Sequence, residues 1–141
     1  MSEQNTAKVV WKGSDLNFVG SVGSGYVFDV GAGADRIGGG PMEFLLVGVA
    51  GCTAIDVVMI LKKQRQQVSG VEVEAVGTRA DEQPAVYTAV ELTYVVRGRD
   101  ISPDAVARAI ELSEEKYCSA SIMFRRAGVA ITSTYRIEEE A

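Results

Sequence analysis

Two cysteines and no histidine bound the chemistry this chain can attempt. Every Cys-His or Ser-His pair is excluded, and so is the commonest zinc ligand, so a nucleophilic thiol would need activation by Arg, Lys, a carboxylate or a helix end. Cys52 lies in Gly51-Cys52-Thr53-Ala54, inside an apolar run. A thiol in that position is by default an inert small hydrophobe whose pKa is raised by burial. The small neighbours Gly48, Gly51 and Thr53 leave room around the sulfur, and they suit close helix packing equally well. Cys118 follows Glu115-Lys116 and precedes Ser-Ala-Ser. It either opens a new helical turn, where partial positive charge favours a thiolate, or fills a connector as a buried side chain. If the two thiols lie within disulfide distance, the second can resolve an oxidised first, a condition that sequence separation alone does not decide.

A charged pair could complete such a site. Glu43 stands nine positions before Cys52, about 13 Å along a straight helix and half a turn out of phase, so it reaches that sulfur only through an intermediary. Arg36, in the glycine-rich stretch GAGADRIGGG of residues 31–40, could bridge them with one guanidinium edge on the thiolate and the other on the carboxylate. Its plain alternative is an exposed loop charge. The loop itself reads as a connector, a phosphate cradle or a support for Arg36. It lacks the ending of a P-loop and sits in no strand–GxGxxG–helix unit, so nucleotide phosphate is rejected.

The elements that must position these residues follow from periodicity. Residues 41–65, PMEFLLVGVAGCTAIDVVMILKKQR, form a helix that is apolar all round from Phe44 to Ile55 and must be buried centrally. Pro41 suits its first position, Glu43 its positive end, and Lys62, Lys63 and Arg65 its negative end. Residues 6–12 and 15–21 read as a hairpin, with a third strand from Gly25 to Val30. Ser69-Gly70 marks a stop after the central helix, and strands at Val71–Ala80 and residues 88–98 suggest a second antiparallel hairpin. An amphipathic helix follows, with Ser102 as N-cap, Pro103 at the first position, and Val106, Ala109 and Ile110 facing inward, Tyr117 being a further candidate. Residues 119–126 form a short helix or turn before a final strand. Glu72, Glu74, Glu91, Arg108, Glu111 and Glu114 fit a solvated face.

The order is α+β. A sheet from one short chain covers only one face of an apolar helix, so an intimate homodimer with the central helices at its interface is expected. At 141 residues, 47% hydrophobic, the chain suits one domain over residues 1–141. A net charge of −5 with no basic stripe argues against nucleic acid. The polar start MSEQNTAK is unlike a signal peptide, and Asp56 and two glycines within the apolar run argue against a membrane span. A cytoplasmic protein is expected.

The stretch GGGPMEFLLVGVAGCTAIDV, followed by ILKK, ADE-P and GRDISP…AIELSEEKYCS, resembles the OsmC/Ohr family of thiol-dependent hydroperoxide reductases over essentially the whole chain. It is similar in particular to the YhfA-like branch. The resemblance implies antiparallel sheets packed on two long helices in an intertwined, strand-swapped homodimer, with two sites at the subunit interface. It implies Cys52 as the peroxidatic thiolate, Cys118 as the resolving thiol, and Glu43 as the carboxylate that holds an arginine, for which Arg36 is the match. On that basis Cys52 attacks the distal oxygen of a hydroperoxide, Cys118 closes an intramolecular disulfide, and a thiol or dithiol reductant restores the pair. Phe44, Ile55, Met123 and Phe124 would line an apolar pocket favouring organic hydroperoxides. No metal or organic cofactor is needed. Two further readings remain open: a small-molecule-binding protein of the same fold without significant peroxidase activity, and a structural dimer with core thiols.

Overall fold

A computed structural model describes residues 2–140. The chain divides into two compact units, the first running to Leu45 and the second beginning at Leu46.

In the first unit, β1 (Ala7–Trp11), β2 (Asn17–Val22) and β3 (Val27–Gly31) form an antiparallel meander in that order. Residues 32–40 then lead to Pro41, the first residue of α1 (Pro41–Lys63). Buried Asn17 fixes this loop from the sheet. Its side-chain amide donates to Asp35 O at 3.1 Å, and its Oδ1 accepts from Ile37 N at 3.0 Å, so Arg36 is held by both neighbours. Gly38 has φ +73°, and a Cβ there would lie 2.3 Å from Asp29 O, so a side chain is excluded both by conformation and by space.

In the second unit, β4 (Gln67–Arg79), β5 (Tyr87–Arg99) and β6 (Ala130–Glu139) form a sheet in that order. β5 is central, and Val90, Leu92, Tyr94 and Val96 bury one face at alternate positions. β4 and β5 are antiparallel, but β5 and β6 run parallel, contrary to the purely antiparallel sheets expected. The reason is the connection: α2 (Pro103–Leu112), a wide turn at Ser113–Tyr117 and α3 (Ser119–Arg126) form a helical crossover that brings the chain back in the same direction.

Several local expectations shift with the same geometry. α1 ends at Lys63 and closes in a left-handed Arg65 at φ 59°, with Gln66 N donating to Leu61 O and Arg65 N to Lys62 O. Ser69-Gly70 is therefore no helix stop; it lies in β4, where the register shifts between Val68 and Gly70. Ser102 does cap α2, its hydroxyl accepting from Ala105 N, and Val106, Ala109 and Ile110 are buried. In the wide turn, Cys118 N donates to Ser113 O five residues back. The slower rotation of that turn swings Tyr117 out to 53% exposure and Glu114 inward to 5%, so Glu114 does not belong to the solvated face.

α1 is the longest helix among the described residues, and it is not surrounded by its own chain. Val49, Thr53, Val57 and Leu61 form its fully buried stripe, whereas Leu45, Val47, Ile55 and Met59 stay about half exposed or more. It is long and apolar enough to match a membrane span by length and composition, but it carries Asp56 within the run.

Candidate functional site

The second unit brings the two cysteines together. Cys52 sits mid-way along α1, half-buried, with Asp56 one turn later on the same face. Cys118 is fully buried and is the N-cap of α3, its sulfur accepting from Ser121 N at 3.4 Å. Both sulfurs and an Asp56 carboxylate oxygen lie within 4.8 Å of one another.

The helix end and burial oppose each other at Cys118. Burial, the larger effect, pushes its pKa above the usual thiol value, and the neighbouring Cys52 adds to the rise. The Ser121 side chain and N–H pull the other way. Cys118 thus faces Cys52 with its thiol pKa raised. The Ser121 hydroxyl is itself fully buried and makes no hydrogen bond of ordinary geometry among the described residues.

A buried polar network backs the thiols. Thr53 Oγ1 lies 2.8 Å from Tyr94 OH and 2.9 Å from Ser113 Oγ, and its one proton can be given to either oxygen. Ser113 donates onward to Asp56 Oδ2 at 2.9 Å. Tyr94 donates to Glu114 Oε2 at 2.6 Å, Ser133 donates to the same oxygen at 2.5 Å, and Arg125 reaches Glu114 Oε1 at 3.3 Å. Burial, then the hydrogen bond to Glu114, drives the Tyr94 pKa far up, so its phenol stays a donor. Every acceptor oxygen of Glu114 is occupied, which is what allows a carboxylate at this depth.

The charged pair belongs to the first unit. Arg36 Nη1 lies 3.4 Å from Glu43 Oε1, with the side chains 41% and 60% exposed. That same oxygen accepts from Gly40 N at 2.8 Å, and Gly40 O accepts from Phe44 N. Glu43 is therefore also the third-residue carboxylate that caps its own helix. A Cβ on Gly40 would stand 3.0 Å from Arg36 Nη1 and 3.4 Å from Glu43 Oε1, so the glycine makes room for the pair.

Of the remaining sequence candidates, Phe44 lies in the first unit and Ile55, Met123 and Phe124 in the second. Phe44 packs on Phe28 at 5.1 Å between ring centroids, and Phe124 stacks on Tyr87 at 6.2 Å. Ile55 and Met123 are 62% and 69% exposed. Asp56, Thr53, Tyr94, Ser113 and Glu114 were not singled out as site residues by sequence. Only Asp56 carried a signal, as an acid one helical turn from a cysteine in an otherwise apolar run.

Similarity to known proteins gives the family of this α+β scaffold. The OsmC-like protein family model matches residues 32–134, and the chain belongs to that family. It is 41% identical to Protein YhfA of Escherichia coli K12 over 131 residues, covering 93% of this chain and 96% of the relative. A hypothetical protein from Aquifex aeolicus VF5 has a similar structure, with TM-score 0.88, 28% identity, and 99% and 100% of the two chains covered. An organic hydroperoxide resistance protein from Elizabethkingia anophelis shares the fold at TM-score 0.73 and 16% identity, covering 98% of this chain and 99% of its own.

Proposed function

We propose that this protein reduces organic hydroperoxides through a two-cysteine cycle, as a cytoplasmic homodimer acting in oxidative-stress defence. The observation that carries the reading is the meeting of the Cys52 and Cys118 sulfurs across α1 and the start of α3. A disulfide needs the sulfurs at about 2.05 Å, and they start from a separation of no more than 4.8 Å.

The half-buried Cys52 is assigned the attack and the fully buried Cys118 the resolution. The Cys52 thiolate takes the distal oxygen of ROOH, the O–O bond breaks, and the departing RO⁻ leaves as ROH after taking a proton. The Cys52 sulfenic acid is then attacked by the Cys118 sulfur. The S–S bond forms, and the hydroxyl leaves as water with the Cys118 proton. A thiol or dithiol reductant returns both cysteines by exchange.

Arg36, held by Glu43, is the cation assigned to keep Cys52 ionised and to stabilise charge on the leaving oxygen. Phe44, Ile55, Met123 and Phe124 are assigned to apolar contact with the organic group. The second copy is supported by Leu45, Val47, Ile55 and Met59, exposed apolar side chains on α1 that association would cover.

A second reading, binding of an apolar small molecule without turnover, draws on a cavity of about 460 Å³ lined by Asp56, Met59, Ile60, Leu112 and Tyr117 among others. Rapid-mixing kinetics with cumene hydroperoxide and hydrogen peroxide separate the two. Fast consumption that favours the organic peroxide and disappears in Cys52→Ser supports the cycle. Slow consumption equal in wild type and Cys52→Ser overturns it.

A further inference from the structure

Cys52, Asp56 and Cys118 present two sulfurs and a carboxylate oxygen converging on one point, all within 4.8 Å of one another. The geometry points to a binding site for a thiophilic divalent cation such as Zn²⁺, held by Cys52 Sγ, Cys118 Sγ and an Asp56 oxygen, with water in the fourth position. A tetrahedral site of this donor set, with metal–sulfur bonds of about 2.3 Å and metal–oxygen bonds of about 2.0–2.2 Å, brings the donor atoms to roughly 3.5–4 Å from one another. Separations of no more than 4.8 Å are compatible with that spacing.

Three features favour this cation class. Two thiolates select soft or borderline metals, and hard cations that demand six or more oxygens have only one carboxylate here. Asp56 is oriented by an outer hydrogen bond, Ser113 Oγ to Oδ2 at 2.9 Å, and Ser113 is in turn fixed by Thr53. Such support is what metal-binding carboxylates use. The donors also come from two rigid elements, α1 and the start of α3, with Cys118 wholly buried and the other two half-buried.

Binding involves no oxidation. Each thiol gives its proton to solvent and its sulfur lone pair to the cation, so up to two protons are released per ion. The cation and a Cys52–Cys118 disulfide need the same sulfur electrons and exclude each other. An occupied site therefore masks both thiols reversibly. This property goes beyond peroxide turnover and stands whether or not the protein reduces peroxides.

The test uses the full-length reduced protein without peroxide, titrated anaerobically with Co²⁺ and then Zn²⁺. The expected result is a near-ultraviolet thiolate-to-cobalt band that saturates at one ion per chain and is displaced by Zn²⁺, with proton release. Protein oxidised beforehand with diamide should show no band. Cys52→Ser and Cys118→Ser should lose it, and Asp56→Asn, which keeps an acceptor for Ser113, should weaken binding by roughly tenfold or more. No thiolate band in reduced wild type overturns the site. Equal affinity in the oxidised protein, or in Asp56→Asn, overturns it as well.

Discussion

The thiol cluster and the arginine loop are built by opposite means. Cys118 is fully buried, and the residues around it are tied by hydrogen bonds from Thr53 through Tyr94 to Glu114 and from Ser113 to Asp56. Arg36 and Glu43 stay 41% and 60% exposed, and backbone features position them: Asn17 bonding residues 35 and 37, and Gly40 leaving room. Buried polar groups are stiff but costly to disturb, whereas an exposed pair adds little stability and can be changed freely. The two regions should therefore separate stability from activity when mutated.

The largest effect on activity should come from Cys52→Ser, which removes the proposed nucleophile and should lower hydroperoxide consumption by roughly a thousandfold or more. Arg36→Gln should lower the rate about tenfold to a hundredfold while changing stability by no more than about 1 kcal/mol. A variant that instead loses several kcal/mol in urea titration, at full activity, would break the contrast. Thr53→Val removes the buried hydroxyl that lies between Tyr94 and Ser113 and should cost about 1–3 kcal/mol, read as a lower urea midpoint at constant slope.

The smallest effect is a pH dependence. The Tyr94 pKa is raised in the folded chain above its ordinary 10.0. Its contribution is then complete below pH 10 and is lost as the pH climbs toward the folded value, because only the unfolded chain ionises there. Urea titrations from pH 8 upward should show wild type weakening past pH 10 more steeply than Tyr94→Phe, and parallel curves would contradict the buried phenol.

Much of the scaffold was legible because local chemistry dictates it. Pro41, Glu43 and the Lys62-Lys63 end bounded α1, and Ser102-Pro103 started α2. The helical turn suggested for Cys118 is α3. What escaped depends on distant partners or unusual backbone. A non-glycine residue in the left-handed region, Arg65, ends α1 where Ser69-Gly70 offered the stronger signal. The five-residue turn after Leu112 reverses the fates of Glu114 and Tyr117, which a regular helical period puts on the opposite faces. The parallel pairing of β6 depends on how far the crossover carries the chain, and the meeting of Cys52 with Cys118 depends on the fold as a whole. Asp56 was visible as an acid in an apolar run, but its place beside both thiols needed three dimensions.

The most direct measurement is the intact mass of reduced wild type and Cys118→Ser after one equivalent of cumene hydroperoxide, with the free thiols counted in parallel. The account predicts loss of two hydrogens and of both titratable thiols per chain in wild type, and a one-oxygen adduct in Cys118→Ser. Unchanged masses with both thiols intact would contradict it.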